Sequence, residues 1–182
     1  VKFNVITNHE FETLIDGENL IRDPRMSFQD INHFNSEHFK LIRLPSQVLE
    51  SITLVDTPGI LPNKEQKIKE NFDQELEWFA ERSDLILLMF DINKHILSDP
   101  FIDILGVLKN KRDKIRILLN KADSFESDDR AKAFGAFGNN LGKIFDGPEL
   151  MRIYMGSFWN HPYNNTDDEG KKRFSNDINK LL

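Results

Sequence analysis

Apolar positions along this 182-residue chain follow two periods. Short alternating or unbroken apolar runs mark strands, and longer stretches at helical spacing mark helices. Val1-Lys2-Phe3-Asn4-Val5-Ile6 alternates and predicts an edge or second strand over residues 1–7. Residues 8–48 are mixed, with Asp16-Gly17 and Asp23-Pro24 as turn signals. Phe28, Ile31, Phe34, Phe39 and Ile42 fall roughly on one face and predict a short helix over about 28–41. Ser51 to Val55 is rich in β-branched residues and predicts a strand ending at Asp56. A helix over about 65–82 follows, with Ile68, Phe72, Leu76, Phe79 and Ala80 as its buried stripe. Leu85 to Phe90 is continuously apolar, as in a central parallel strand covered on both faces.

Asp99-Pro100 opens the next helix as N-cap and first helical residue, with Phe101, Ile104, Leu105 and Leu108 facing the core. Ile115 to Leu119 predicts a strand ending at Asn120. A glycine-weakened helix over about 129–145, a last strand from Met151 to Met155 and a final helix over 168–182 complete the pattern. Strands alternating with helices argue for an α/β fold with an open, mostly parallel sheet. The length fits one domain over 1–182 with a sizeable core. Fifteen Phe residues supply much of that core's volume. A net charge of −6 argues against a nucleic-acid partner. With no Cys, neither a disulfide framework nor a thiolate metal site can form, which fits a reducing compartment.

Two motifs sit at predicted strand ends, where ligands bind in open α/β sheets. Asp56-Thr57-Pro58-Gly59 is the first. Its Asp stands where P-loop enzymes hold Mg²⁺ through a water, and Gly59 offers an N–H to a γ-phosphate with no side chain in the way. An ordinary strand-to-loop turn would use the same residue types. Asn120-Lys121-Ala122-Asp123 is the second. The Asp123 carboxylate can accept two hydrogen bonds from a purine edge, the Lys121 stem can lie along the base, and Asn120 can tie the loop to its neighbours. Donor–acceptor logic favours guanine there without excluding adenine. Ser157 and Trp159 follow the last predicted strand, where Trp159 either stacks on a base or joins a core aromatic pair. Asp91 reads as a loop cap. The five His residues lack metal-ligand spacing, and Asn164-Asn165-Thr166 matches a glycosylation sequon. The third P-loop mark, Gly-x-x-x-x-Gly-Lys-Ser/Thr, is absent from these residues.

Longer strings are more specific. Val55 to Leu61, Leu76-Glu77-Trp78-Phe79-Ala80-Glu81-Arg82, Leu119 to Asp123 and Gly156-Ser157-Phe158-Trp159-Asn160-His161-Pro162 resemble the Eps15-homology-domain-containing (EHD) family of dynamin-like ATPases. Asp23-Pro24-Arg25 and Pro45 to Ile52 fit the same pattern. The resemblance covers nearly the whole chain. It implies a dynamin-type nucleotide-binding domain of the P-loop class that prefers ATP to GTP, and a parent that hydrolyses ATP slowly with Mg²⁺. By this resemblance Asp56, Thr57 and Gly59 serve the catalytic, Mg²⁺ and γ-phosphate side. Asn120, Lys121, Asp123, Ser157 and Trp159 serve the base side.

The same resemblance implies a cytoplasmic protein, peripheral on endosomal or plasma membranes. It would form homodimers or larger oligomers, act in endocytic trafficking, and bind lipids through regions outside these residues. Asn139 stands where relatives place an interface Trp, and Ile60 where small GTPases place a water-orienting Gln. The start at Val1 is expected to be a truncation that omits the phosphate loop and the first strand, leaving the fragment inactive alone. A second reading is a non-catalytic, sarcalumenin-like relative with a calcium-handling or scaffolding role.

Overall fold

The computed structural model describes residues 2–22, 35–59, 72–94, 99–145, 151–159, 161–164 and 167–181. They form two compact units, Val1–Glu75 and Leu76–Leu182, each described by itself below.

In the first unit, alternation at Phe3 and Val5 produces β1 (Phe3–Asn8). The same alternation at Phe39 and Leu41 produces β3 (Phe39–Leu44). These strands pair in parallel with Phe3 opposite Phe39 and Val5 opposite Leu41, so these four side chains are buried together on one face. β2 (Thr13–Asp16) and β4 (Leu54–Asp56) add antiparallel on either side, giving the order β2-β3-β1-β4. Between β2 and β3 lies the six-residue helix α1 (Gly17–Arg22). A side chain on Gly17 would place its Cβ 2.0 Å from the Ser36 carbonyl oxygen, so only glycine allows this approach. Phe3 stacks on Phe39 at 5.3 Å and on Phe72 at 5.5 Å. Beside them the buried His38 Nδ1 lies 2.9 Å from the buried Glu75 carboxylate.

Two expectations change here. Of the helix expected over 28–41, residues 28–34 lie outside the described residues, and 39–41 belong to β3. The ladder partners on both sides of β3 hydrogen-bond its backbone, and the period-two burial of Phe39 and Leu41 prevails over any helical face. The strand expected from Ser51 begins only at Leu54, where pairing with β1 starts.

The unit boundary falls within α2 (Phe72–Arg82). The part of the expected 65–82 helix before Phe72 lies outside the described residues. The second unit continues with β5 (Ile86–Asp91), α3 (Asp99–Leu108), β6 (Ile115–Asn120), α4 (Ser127–Ile144), β7 (Ile153–Met155) and α5 (Asp168–Leu181). Helical crossovers make all three strands parallel, in the order β5-β6-β7. The expected α/β class with parallel strands is therefore borne out. Phe90, Leu105, Ile117, Leu119, Phe137, Leu141, Met155 and Phe174 form the core, with Phe137 fully buried and its ring 4.6 Å from that of Phe90.

β6 is the central strand of this sheet. β5, expected to be covered on both faces, is an edge strand with Leu87 and Met89 about half exposed. An unbroken apolar run gives strand length but not position in the sheet. Among the described residues, no helix is long and apolar enough to cross a membrane.

Candidate functional site

Register builds the site in the second unit. β5 and β6 pair so that Asp91 lies opposite Asn120, which brings two polar residues together at the carboxyl ends of adjacent parallel strands. Beyond Asn120 the chain turns sharply. Lys121 adopts φ 60° and ψ 30°, the one left-handed non-glycine residue among those described. Asn120 Oδ1 holds this turn, accepting from the Lys121 N–H at 2.7 Å and the Phe158 N–H at 2.9 Å. The β6–β7 ladder extends past the strands through Gly156 N–H to the Leu119 carbonyl and Ala122 N–H to the Gly156 carbonyl, each at 3.1 Å. The expectation that Asn120 ties its loop to neighbouring segments thus takes concrete form.

Lys121 Nζ reaches Asp91 Oδ2 at 2.6 Å. Asp91 Oδ1 accepts from the Asn93 N–H at 3.0 Å and the Asn93 side-chain amide at 2.9 Å. That amide also lies 3.4 Å from Ser124 Oγ, which donates to the Lys121 carbonyl. Four residues therefore close a polar ring. Burial pushes the Asp91 carboxyl upward, but hydrogen bonds from Lys121 and Asn93, with the Lys121 charge, outweigh it and hold the group below its ordinary value.

Asp123 is 2 % exposed, and its Oδ2 accepts the Asn164 N–H at 3.1 Å. Ser157 is buried and Trp159 is half exposed, its ring edge-to-face with His161 at 5.2 Å. The structure thus gathers Asn120, Lys121, Asp123, Ser157 and Trp159 around the ends of β6 and β7.

Asp56, Thr57 and Gly59 belong to the first unit. Asp56 ends β4 opposite Asn4, whose Nδ2 donates to its Oδ2 at 3.0 Å. Asp56 and Thr57 are exposed, and a Cβ added to Gly59 would meet nothing within 4 Å. Among the described residues no cluster of three acidic or His side chains could hold a metal ion. Ile60 lies outside the described residues.

Sequence reasoning missed three contacts: Asp91 to Lys121, Asn164 to Asp123 and Asn4 to Asp56. Aligning the predicted ends of the strands at Asp91 and Asn120 would have revealed the first. The other two depend on loop closure and on an antiparallel pairing that periodicity does not encode.

A sequence profile of the family described as 50S ribosome-binding GTPase matches residues 20–121, which is more than half of the chain. The chain belongs to that GTPase family. Membership in this GTPase family implies a nucleotide and Mg²⁺ as ligands. EH domain-containing proteins 1 and 3 from Homo sapiens are each 43 % identical to the chain over 165 residues, 88 % of this chain and 31 % of theirs. The resemblance drawn from the longer sequence strings is borne out. The chain spans under a third of the length of these relatives. A solved structure of an oligomerised bacterial dynamin pair covers 100 % of this chain and 29 % of its own, at a TM-score of 0.47 and 16 % identity.

Proposed function

We propose that this GTPase-family domain is the nucleotide-binding core of a membrane-remodelling ATPase of the EHD kind, acting in endocytic trafficking. The observation that carries the reading is the loop at the end of β6. There Asn120 fixes the turn, Lys121 extends its side chain to Asp91, the Asp123 carboxylate is buried, and Trp159 is half exposed one residue after Phe158, whose N–H donates to Asn120. A purine lying along the Lys121 stem would present its edge to Asp123. Asp56, Thr57 and Gly59 would serve the Mg²⁺ and γ-phosphate side, and residues 1–182 are read as part of a dynamin-type nucleotide-binding domain. Asn4 donates to one Asp56 oxygen, and the other would accept a hydrogen bond from a Mg²⁺-bound water. Mg²⁺ would supply charge neutralisation at the β- and γ-phosphates.

The identity to EH domain-containing proteins supports ATP over GTP. The Asn164 N–H engages Asp123 Oδ2 and steadies the carboxylate, while each oxygen keeps lone-pair capacity for a donor on the base edge. The identity to EH domain-containing proteins supports assembly as a homodimer or oligomer at endosomal or plasma membranes from the cytoplasm, with lipid contacts made by other parts of the protein. These 182 residues contain no Gly-x-x-x-x-Gly-Lys-Ser/Thr, which supports a lack of measurable ATP hydrolysis by this chain on its own.

NMR titration of the labelled chain with ATP and GTP tests the reading. ATP is expected to shift the amides of Lys121, Asp123 and Phe158, with Asp123→Ala removing the response. Saturation by GTP at lower concentration than ATP would refute the adenine assignment, and an unaltered response in Asp123→Ala would refute the base loop itself.

A further inference from the structure

We propose that Asp91 is a positioning residue for base recognition: it anchors the Lys121 ammonium and so presets the Lys121 stem as the surface along which the base lies. This rests on the reading of Asn120 to Asp123 as a base-binding loop.

Three independent features carry it. Asp91 and Asn120 are register partners, so the carboxylate stands beside the turn that carries Lys121. The carboxylate is itself immobilised, because Oδ1 accepts both the backbone and side-chain N–H groups of Asn93 while Oδ2 faces Lys121 Nζ at 2.6 Å. Lys121 is also anchored at its other end, where its left-handed backbone donates to Asn120 and its carbonyl accepts from Ser124. A lysine stem held at both ends has little rotational freedom between them. Lysine is among the side chains with most rotamer entropy to lose, and ordering it before the ligand arrives removes that cost from binding.

Stability alone does not account for the arrangement. The Lys121 side chain is 59 % exposed, and exposed ion pairs contribute little to folding. The pair's effect is therefore expected in affinity for a base-bearing ligand. It should be absent for a ligand that offers phosphates alone.

The experiment titrates the 182-residue chain, by NMR, with ATP and with inorganic tripolyphosphate. The variants are Asp91→Asn, Lys121→Met, the double variant and Asp123→Ala. Asparagine keeps an acceptor for the Asn93 N–H, and methionine keeps an apolar stem without the charge. Asp91→Asn is expected to weaken ATP binding about two- to fivefold, the range open to an exposed pair. Tripolyphosphate binding should be unchanged, and Asp91→Asn should have no further effect in the Lys121→Met background. Should Asp91→Asn fail to fold, Lys121→Met tests the anchored ammonium: ATP binding should weaken with tripolyphosphate binding unchanged, and an unchanged ATP affinity would overturn the proposal.

Equal weakening of both ligands, or an undiminished Asp91→Asn effect beside Lys121→Met, would overturn the proposal. Weakening by Asp123→Ala with none by Asp91→Asn would overturn it while leaving the base loop intact. No ATP binding by the wild-type chain, or none lost in Asp123→Ala, would overturn both.

Discussion

Replacing Asn120 with alanine removes one oxygen that serves two backbone donors. Lys121 N–H is exposed in the loop and can turn to water, so its loss costs little. Phe158 N–H is partly buried, and its acceptor at 2.9 Å is the Asn120 side chain. A donor left unsatisfied in such a place costs about 1–3 kcal/mol. Adding the smaller loss at Lys121 gives about 1.5–3.5 kcal/mol for Asn120→Ala. In a chain of this size each kcal/mol lowers the melting temperature by roughly 2–4 °C, so a drop of about 3–14 °C follows. Asn120→Asp keeps both acceptor contacts and should melt much closer to wild type. Thermal melts followed by tryptophan fluorescence give the size of the effect, since Trp159 adjoins Phe158. Amide hydrogen exchange at Phe158 gives its location. An alanine variant that melts within a degree of wild type and retains Phe158 protection would refute the claim that this one oxygen holds the loop.

Other substitutions probe each unit separately. Phe137→Ala empties a fully buried ring site in the second unit and should cost about 3–5 kcal/mol in urea unfolding. His38→Ala removes a buried partner of the Glu75 carboxylate, and a destabilisation of roughly 1.5–3 kcal/mol is expected in the same assay. Gly17→Ala drives a Cβ into the Ser36 carbonyl, so the backbone must move; a loss of about 1–3 kcal/mol should follow, and a neutral result would refute the close approach. The Asp91 carboxyl has a lowered value in the folded chain, so the stability it adds is present at neutral pH and lost as pH falls through that value, below the ordinary 3.8. Asp91→Asn should flatten this part of the acid-unfolding curve, and an unchanged curve would count against the ion pair.

The second unit was the more legible from sequence. Ile115 to Leu119 is apolar but for Arg116, β-branched at its start and stopped by Asn120, and β6 ends there. The helix expected over 129–145 forms as Ser127–Ile144. Long segments of one period leave few alternatives. The first unit was less legible because its sheet mixes parallel and antiparallel pairs. Phe39 and Ile42 fit a helical face as well as they fit a strand, and only pairing with β1 and β2 decides between them. The motif residues themselves were readable, because Asp56 and Asn120 each end a strand. Their partners were not. Asn4 meets Asp56 through an antiparallel register, and Asn164 reaches Asp123 from a loop forty-one positions later. Contacts of that kind leave no local period in the chain.

The left-handed turn at Lys121 has a consequence for any attempt to select a hardier form of this domain. A branched or long side chain in that conformation costs about 1–2 kcal/mol, and glycine avoids the cost. Libraries screened for heat resistance alone should therefore drift toward Lys121→Gly, discarding the side chain that reaches Asp91 as they do so. Enrichment of glycine at 121 under thermal selection, and its depletion under selection for nucleotide retention, would mark this backbone position as one where durability and ligand binding oppose each other.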